Sequence, residues 1–403
     1  MTRHRLEVAD VFREHADEYL VEHGGSAAQR RVLRAVQNCR TAVLGGHVEA
    51  CDHCGHQRIA YNSCRNRHCP KCQGPATARW LQARAAELLE TPYFHLVFTL
   101  PAALGPLALQ NPRLIYGLLL RATSQTLLEV AADPKHLGAE IGFLMVLHTW
   151  GQNLLHHPHV HCVIPAGGIA PDGSRWIPCP PNYFLPVRVL SRAFRGKFVA
   201  GLKQAFARGE LALHGALATL TEAERFEELL DQVVRRDWVV FAKRPFGGPR
   251  QVLKYLARYT HRVAIANRRL VALRNRRVTF RWKDYAHGGR QRLMTLAATE
   301  FIRRFLLHVL PRGFMKIRHY GFMANRARKA KRDLCRRLLN MPLAPMSMAD
   351  DVCQSEPIEA CDPEPPRPCP HCREGRLRII HRFPSQLRDS RMPSFAPAYP
   401  DTS

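Results

Sequence analysis

The chain has 403 residues, 46% of them hydrophobic, a formal net charge of +27 and a pI near 10.3. That length accommodates two or three domains, and that hydrophobic content is normal for a globular protein with a real core. Residues 235–333 hold 27 Lys and Arg against 4 Asp and Glu. A surplus so concentrated argues against a merely solubilising surface and for a channel that takes a polyanion, nucleic acid above all.

Residues 5–22 and 27–44 read as two amphipathic helices, the second capped by Ser26. Residues 51–72 form a compact cysteine-rich module, and 75–90 read as a helix with its proline at the start. Then the pattern changes. Residues 93–100 (YFHLVFTL) are a strand, 113–130 a long helix, 141–150 a second strand and 159–165 a third. A turn follows at Pro171-Asp172-Gly173. Helices are expected near 189–208 and 221–235, and a fourth strand at 238–243.

A Pro-Phe-Gly-Gly-Pro loop at 245–249 leads into a helix whose apolar positions Leu253, Leu256 and Val263 leave Tyr255 and Tyr259 on a partly exposed side. Residues 270–273 and 278–282 look like a basic hairpin, with Val278, Phe280 and Trp282 alternating against Thr279, Arg281 and Lys283. Residues 300–310 are a final helix. The stretch 341–368 turns acidic and proline-rich, as a linker does, and 383–403 reads as disordered. The expected architecture is α+β, with a central antiparallel sheet. Its parts are a helical and zinc-ribbon unit (1–90), a catalytic unit (91–340) and a linker with tail (341–403).

The first ten residues, MTRHRLEVAD, contain no apolar run, and no stretch elsewhere approaches a membrane span. The thirteen cysteines are therefore expected in a reducing cytoplasm, where clustering signals metal rather than disulfides. Cys51-x2-Cys54 and Cys69-x2-Cys72 are two knuckles with the bite that tetrahedral zinc needs, and they predict one structural zinc held by those four thiolates. Cys64 and His68 lie inside the module as competing ligands. Arg65, Asn66, Arg67 and Lys71 give the second knuckle a surface suited to DNA. Cys369-Pro370-His371-Cys372 is a half-knuckle that Cys353 and Cys361 would complete only with irregular spacing. A zinc deaminase needs H-x-E followed by P-C-x-x-C. Here His47-Val48-Glu49 is followed by Cys69-Pro70-Lys71-Cys72, with proline on the wrong side of the cysteine.

His159 and His161 sit two apart in a strand and so share a face, and neutral imidazoles bind divalent metals. Tyr255 and Tyr259 sit four apart on a helix and share a face too, interleaved with Lys254, Arg258 and Arg262. Those cations suit a scissile phosphate and favour a tyrosinate, which is a nucleophile.

HPHVH at 157–161 with YLARYTHRVAI at 255–265, after CDHCGH and SCRNRHCPKC, resembles the two-tyrosine rolling-circle transposases of bacterial insertion sequences, within the HUH endonuclease superfamily. The resemblance runs from the cysteine module to HYGFMANRARKAKR at 319–332. It implies that His159 and His161 bind magnesium or manganese, which polarises a phosphate of single-stranded DNA. It implies attack by Tyr255 or Tyr259 to leave a 5′-phosphotyrosine, with the second tyrosine serving strand transfer and no nucleotide cofactor required. The third metal ligand is open among His148, Gln152 and His157. A plasmid relaxase or replication initiator shares this chemistry. A non-catalytic zinc-ribbon regulator would tolerate Phe at both tyrosines, and an RNA-binding protein would need stacking aromatics such as Phe280 and Trp282 on a sheet face.

Overall fold

The structure is a computed structural model that describes residues 5–85, 87–246, 251–252, 263–285, 287–342 and 367–386. The expected α+β architecture is present, and its sheets are antiparallel. In chain order the first elements are α1 (Val8–His23), α2 (Ala27–Gln37), β1 (Gly46–Cys51), β2 (Gln57–Tyr61), α3 (Gln73–Ala85) and β3 (Tyr93–Thr99). Next come α4 (Gly105–Gln110), α5 (Pro112–Ala132), β4 (Gly142–Trp150), β5 (His156–Pro165), β6 (Gly167–Ile169) and β7 (Trp176–Pro178). They are followed by α6 (Val187–Ala207), α7 (Ala223–Val234), β8 (Val240–Phe246), β9 (Leu270–Arg274), β10 (Arg277–Asp284) and β11 (Arg290–Ala297). The helix Ala298–Leu306, β12 (Ile317–Gly321), the helix Arg328–Leu338 and β13 (Leu377–Phe383) complete the series.

The main sheet has five strands in the order β12-β4-β5-β3-β8. β5 is its middle strand, so the segment that carries the histidine pair is hydrogen-bonded on both sides. Alternation sorts the side chains onto two faces. Leu96, Phe98, Met145, Leu147, Val160, Cys162 and Ile164 face α5 and α6 and form the largest core with Leu119, Phe194 and Phe198. The other face carries Leu144, Val146, Val163 and the histidines. At the edge, Gly321 has φ +60°, and a Cβ there would fall 1.7 Å from the Ile141 carbonyl oxygen, so only glycine fits.

A second core fuses the N-terminal helices to the C-terminal half of the chain. Phe12 and Tyr19 of α1 and Leu33 of α2 pack with Phe280 of β10 and with Phe301 and Phe305. Phe12 meets Phe305 edge-on, with ring centroids 5.2 Å apart. Ser26 caps α2 through the Gln29 amide, in a reciprocal capping box. That helix stops at Gln37 rather than running to 44; a short 3-10 turn, Ala42–Leu44, follows.

The basic hairpin is a three-stranded sheet, β11-β10-β9. Its alternation holds, but Phe280 is fully buried against Phe301, so it is not a stacking platform for bases. The tail expected to hang from residue 341 does not wholly do so. Residues 367–386 are folded, and β13 pairs antiparallel with β1 in the sheet β13-β1-β2. Among the described residues no helix is long and apolar enough to cross a membrane.

Candidate metal centre and cysteine clusters

His148 of β4 lies directly opposite His159 of β5, and Val146 opposite His161. Opposed residues in an antiparallel pair point the same way, so the three histidines share one face. Their ligand nitrogens lie within 4.8 Å of one another. Their ring centroids are 4.5 Å (His148–His161), 4.9 Å (His159–His161) and 5.5 Å (His148–His159) apart, with the rings steeply inclined to one another. Of the candidates for third ligand, His148 is the one that the sheet register brings to the pair. His157 stands outside that group, and its backbone oxygen lies 2.6 Å from His159 Nδ1. The Gln152 carbonyl accepts a hydrogen bond from Arg269.

The protons are placed by chemistry. A carbonyl oxygen only accepts, so His159 carries its proton on Nδ1 and leaves the Nε2 lone pair for a ligand. Burial pushes the His159 pKa down to about 4, so the ring is neutral near pH 7, as ligation requires. His161 Nδ1 lies 2.9 Å from His95 Nε2, a partner on β3 that the sequence motif does not include. Burial first, then the charge of Lys243, brings His95 down to about 3. The signal for His95 was a polar residue inside the otherwise apolar run YFHLVFTL, which needs a partner when buried. Trp150 stacks on His148 with centroids 4.5 Å apart and walls one side of the group.

Tyr255, Tyr259, Lys254, Arg258 and Arg262 lie outside the described residues. The residues that bracket them are described. Val252 is buried against Leu144, Val146 and Val163, on the histidine face of the sheet. Val263 lines a small cavity with Trp150, His68 and His308.

The single zinc site expected from Cys51, Cys54, Cys69 and Cys72 is not what the chain builds. Cys69 and Cys72 gather with Cys39 and Cys64; Cys51 and Cys54 gather with Cys369 and Cys372. The reason is the β1–β2 hairpin. Cys51 and Cys54 flank its tip, whereas Cys39 precedes it and residues 64–72 follow it, at the other end. A five-residue strand is roughly 17 Å long, far beyond what thiolates about 2.3 Å from one ion can bridge. In the first cluster Cys72 Sγ lies 3.5 Å from Cys39 Sγ and 3.6 Å from Cys64 Sγ. Tetrahedral zinc sets its sulfurs about 3.8 Å apart, so the cluster fits that ion. Hydrogen bonds from Cys64 and then Cys69 bring the Cys39 thiol down to about 7. Cys64, named as a competitor, is thus placed in the cluster, and Cys39 was missed. Cysteine arithmetic was the available signal: six cysteines at 39–72 and two at 369–372 make two sets of four.

This cluster is tied both to the sheet domain and to the start of α1. Arg67 donates both guanidinium NH groups to the Phe314 carbonyl at 2.8 Å, and Lys71 pairs with Glu7. His68 is not a member. It sits half-buried beside Arg67 and Lys316, and desolvation, then the charge of Arg67, lowers its pKa to about 3. Cys353 and Cys361 lie outside the described residues.

Comparison with known proteins matches residues 11–100 to the family described as "Transposase zinc-binding domain" and residues 142–331 to that described as "Putative transposase". The chain is 56% identical over 385 residues to "Putative transposase y4qJ" of Sinorhizobium fredii (strain NBRC 101917 / NGR234), covering 95% of this chain and 97% of that one. It is 28% identical over 312 residues to "Transposase for insertion sequence element IS801" of Pseudomonas savastanoi pv. phaseolicola, covering 76% and 73% of the two chains. No solved structure matches. The paired cysteine clusters beside an antiparallel sheet and both matches agree: the chain belongs to the insertion-sequence transposases of the IS91 and IS801 type, DNA-cleaving and strand-transferring enzymes with an N-terminal zinc-binding domain.

Proposed function

We propose that this transposase cleaves and rejoins single-stranded DNA through a 5′-phosphotyrosine on Tyr255 or Tyr259, in rolling-circle transposition. The observation that carries the reading is the convergence of His148, His159 and His161 on one face of the middle strands. These residues would hold a divalent ion, magnesium or manganese. When bound, the ion supplies a Lewis acid for the scissile phosphate and the leaving 3′-oxygen. An all-imidazole donor set favours manganese over magnesium, which prefers oxygen ligands.

Chain connectivity is compatible with this role for the tyrosines. Tyr255 is three residues beyond Val252, hence within about 11 Å of it along any backbone path. Tyr259 is four residues before Val263, within about 14 Å of it. Val252 packs in a cluster with Val146 and Val163, on the sheet face that carries the histidines, and Val263 lines a cavity with Trp150, which stacks on His148. Attack by the tyrosinate oxygen forms the phosphotyrosine and frees a 3′-hydroxyl. That hydroxyl, or one from a second cleavage, reverses the step and restores a phosphodiester without a nucleotide cofactor. Lys254, Arg258 and Arg262, interleaved with the tyrosines in the sequence, suit the phosphate charge.

The test is covalent trapping. The protein is incubated with manganese and labelled single strands from both flanks of its gene, then run on a denaturing gel. An SDS-resistant adduct is expected, absent from the Tyr255→Phe/Tyr259→Phe variant and from His159→Ala. An adduct that persists in the double tyrosine variant sinks the assignment.

A further inference from the structure

We propose that Cys51, Cys54, Cys369 and Cys372 form a second zinc site, a clasp that pins the C-terminal segment 367–386 onto the N-terminal ribbon. Two of its four ligands, Cys369 and Cys372, lie beyond the zinc-binding family match, which ends at residue 100, and the site is separate from the histidine group. Cys51 Sγ lies 3.7 Å from Cys372 Sγ, and Cys54 Sγ 3.8 Å from Cys369 Sγ. Those are the sulfur separations of about 3.8 Å that a tetrahedral zinc held by four thiolates imposes.

The two halves are built alike. In the first knuckle the His53 and Cys54 amides point at Cys51 Sγ, at 3.4 and 3.5 Å. In the second the His371 amide points at Cys369 Sγ and the Gly375 amide at Cys372 Sγ, each at 3.4 Å. Backbone N–H groups aimed at sulfur favour the thiolate that a metal requires. Gly375 leaves the room: a Cβ there would sit 2.5 Å from Cys51 Sγ. His56 and His371 stack across the join, with centroids 5.4 Å apart and planes 8° from parallel.

The protein contacts around the site also join the halves. The Asp52 carboxylate accepts from the Arg376 amide at 2.7 Å and from Arg378 Nε at 3.1 Å. From there β13 runs along β1, from Leu377 opposite Cys51 to Phe383 opposite Gly46. Without β13, β1 would present an open edge. Each pair of cysteines supplies only half a coordination shell, so the ion is the link between segments more than 300 residues apart. Binding would release protons from the thiols and hold β13 in register.

The test is zinc per chain, measured by atomic emission on full-length protein. The variants are Cys369→Ser/Cys372→Ser, Cys51→Ser/Cys54→Ser, and all four together. Each is expected to carry one zinc fewer than wild type, with no further loss when the pairs are combined. Zinc unchanged by Cys369→Ser/Cys372→Ser, or an additive loss, overturns the clasp. A readout on the wild type guards against misfolded variants. Proteolysis within 367–386 should accelerate at least tenfold when chelator removes all bound zinc. Protection that is unchanged after that removal also overturns it.

Discussion

His95 Nε2 and His161 Nδ1 lie 2.9 Å apart, with both rings buried and only 13° from parallel. If His161 ligates through Nε2, its Nδ1–H donates to His95, which fixes the tautomer and aim of the ring. His95→Leu should therefore weaken manganese binding roughly 10–100-fold, and His95→Gln, which keeps an acceptor, should recover much of it. Electron paramagnetic resonance of bound manganese reads this directly. Equal binding in His95→Leu and wild type would show that His95 is packing alone.

The ion preference follows from the donors. Manganese is expected to bind at least about tenfold more tightly than magnesium to the His148, His159 and His161 group. A competition titration on wild type and His148→Ala checks it. If the alanine variant binds manganese as tightly as wild type, His148 is not the third ligand.

Cys39 was invisible to motif spacing but belongs to the first cluster. Cys39→Ser should cost one zinc per chain and lower the melting temperature, because that cluster packs into the core shared by α1 and β10. Full zinc content in this variant would remove Cys39 from the site.

That shared core gives a stability prediction. Phe12 is fully buried, and Phe12→Ala should destabilise the fold by about 3–5 kcal/mol. Denaturant unfolding measures it. A loss below about 1 kcal/mol would mean that the site collapses around the cavity.

Burial lowers the pKa of His308 to about 3, of His319 to about 3 and of His156 to about 4. Unfolded histidine titrates near 6.5. Between that value and the folded ones, the unfolded state binds more protons. Stability should thus be level above pH 7 and fall as the pH drops from about 6.5 toward 4. Melting temperatures across pH 8 to 4 test this. A plateau down to pH 4 would contradict the burial of these rings.

Local pattern made much of the fold readable. Strands β3 and β4 are mostly apolar runs, β5 is marked by its alternating His-x-His and apolar tail, and α2 begins at a Ser-x-x-Gln capping box. The period-two alternation of β10 holds, with Val278 and Phe280 inward and Arg281 and Lys283 outward. β13 was not readable. Its burial pattern is exposed for most of its length, so it lacks the alternation that marks a half-buried strand, and it exists by pairing with β1.

By itself the sequence determined the chemistry available: the histidine pair, the tyrosine pair, the cysteine knuckles and the basic half that suits DNA. It determined these because residue type and short spacing fix which groups share a strand or helix face. Only the tertiary structure decided which groups meet. Strand register places His148 opposite His159 and sets His95 against His161. Hairpin length separates Cys51 and Cys54 from Cys69 and Cys72, and chain return brings Cys369 and Cys372 to the tip. Those partners come from strands and knuckles distant in the chain, and no local spacing encodes a contact between them.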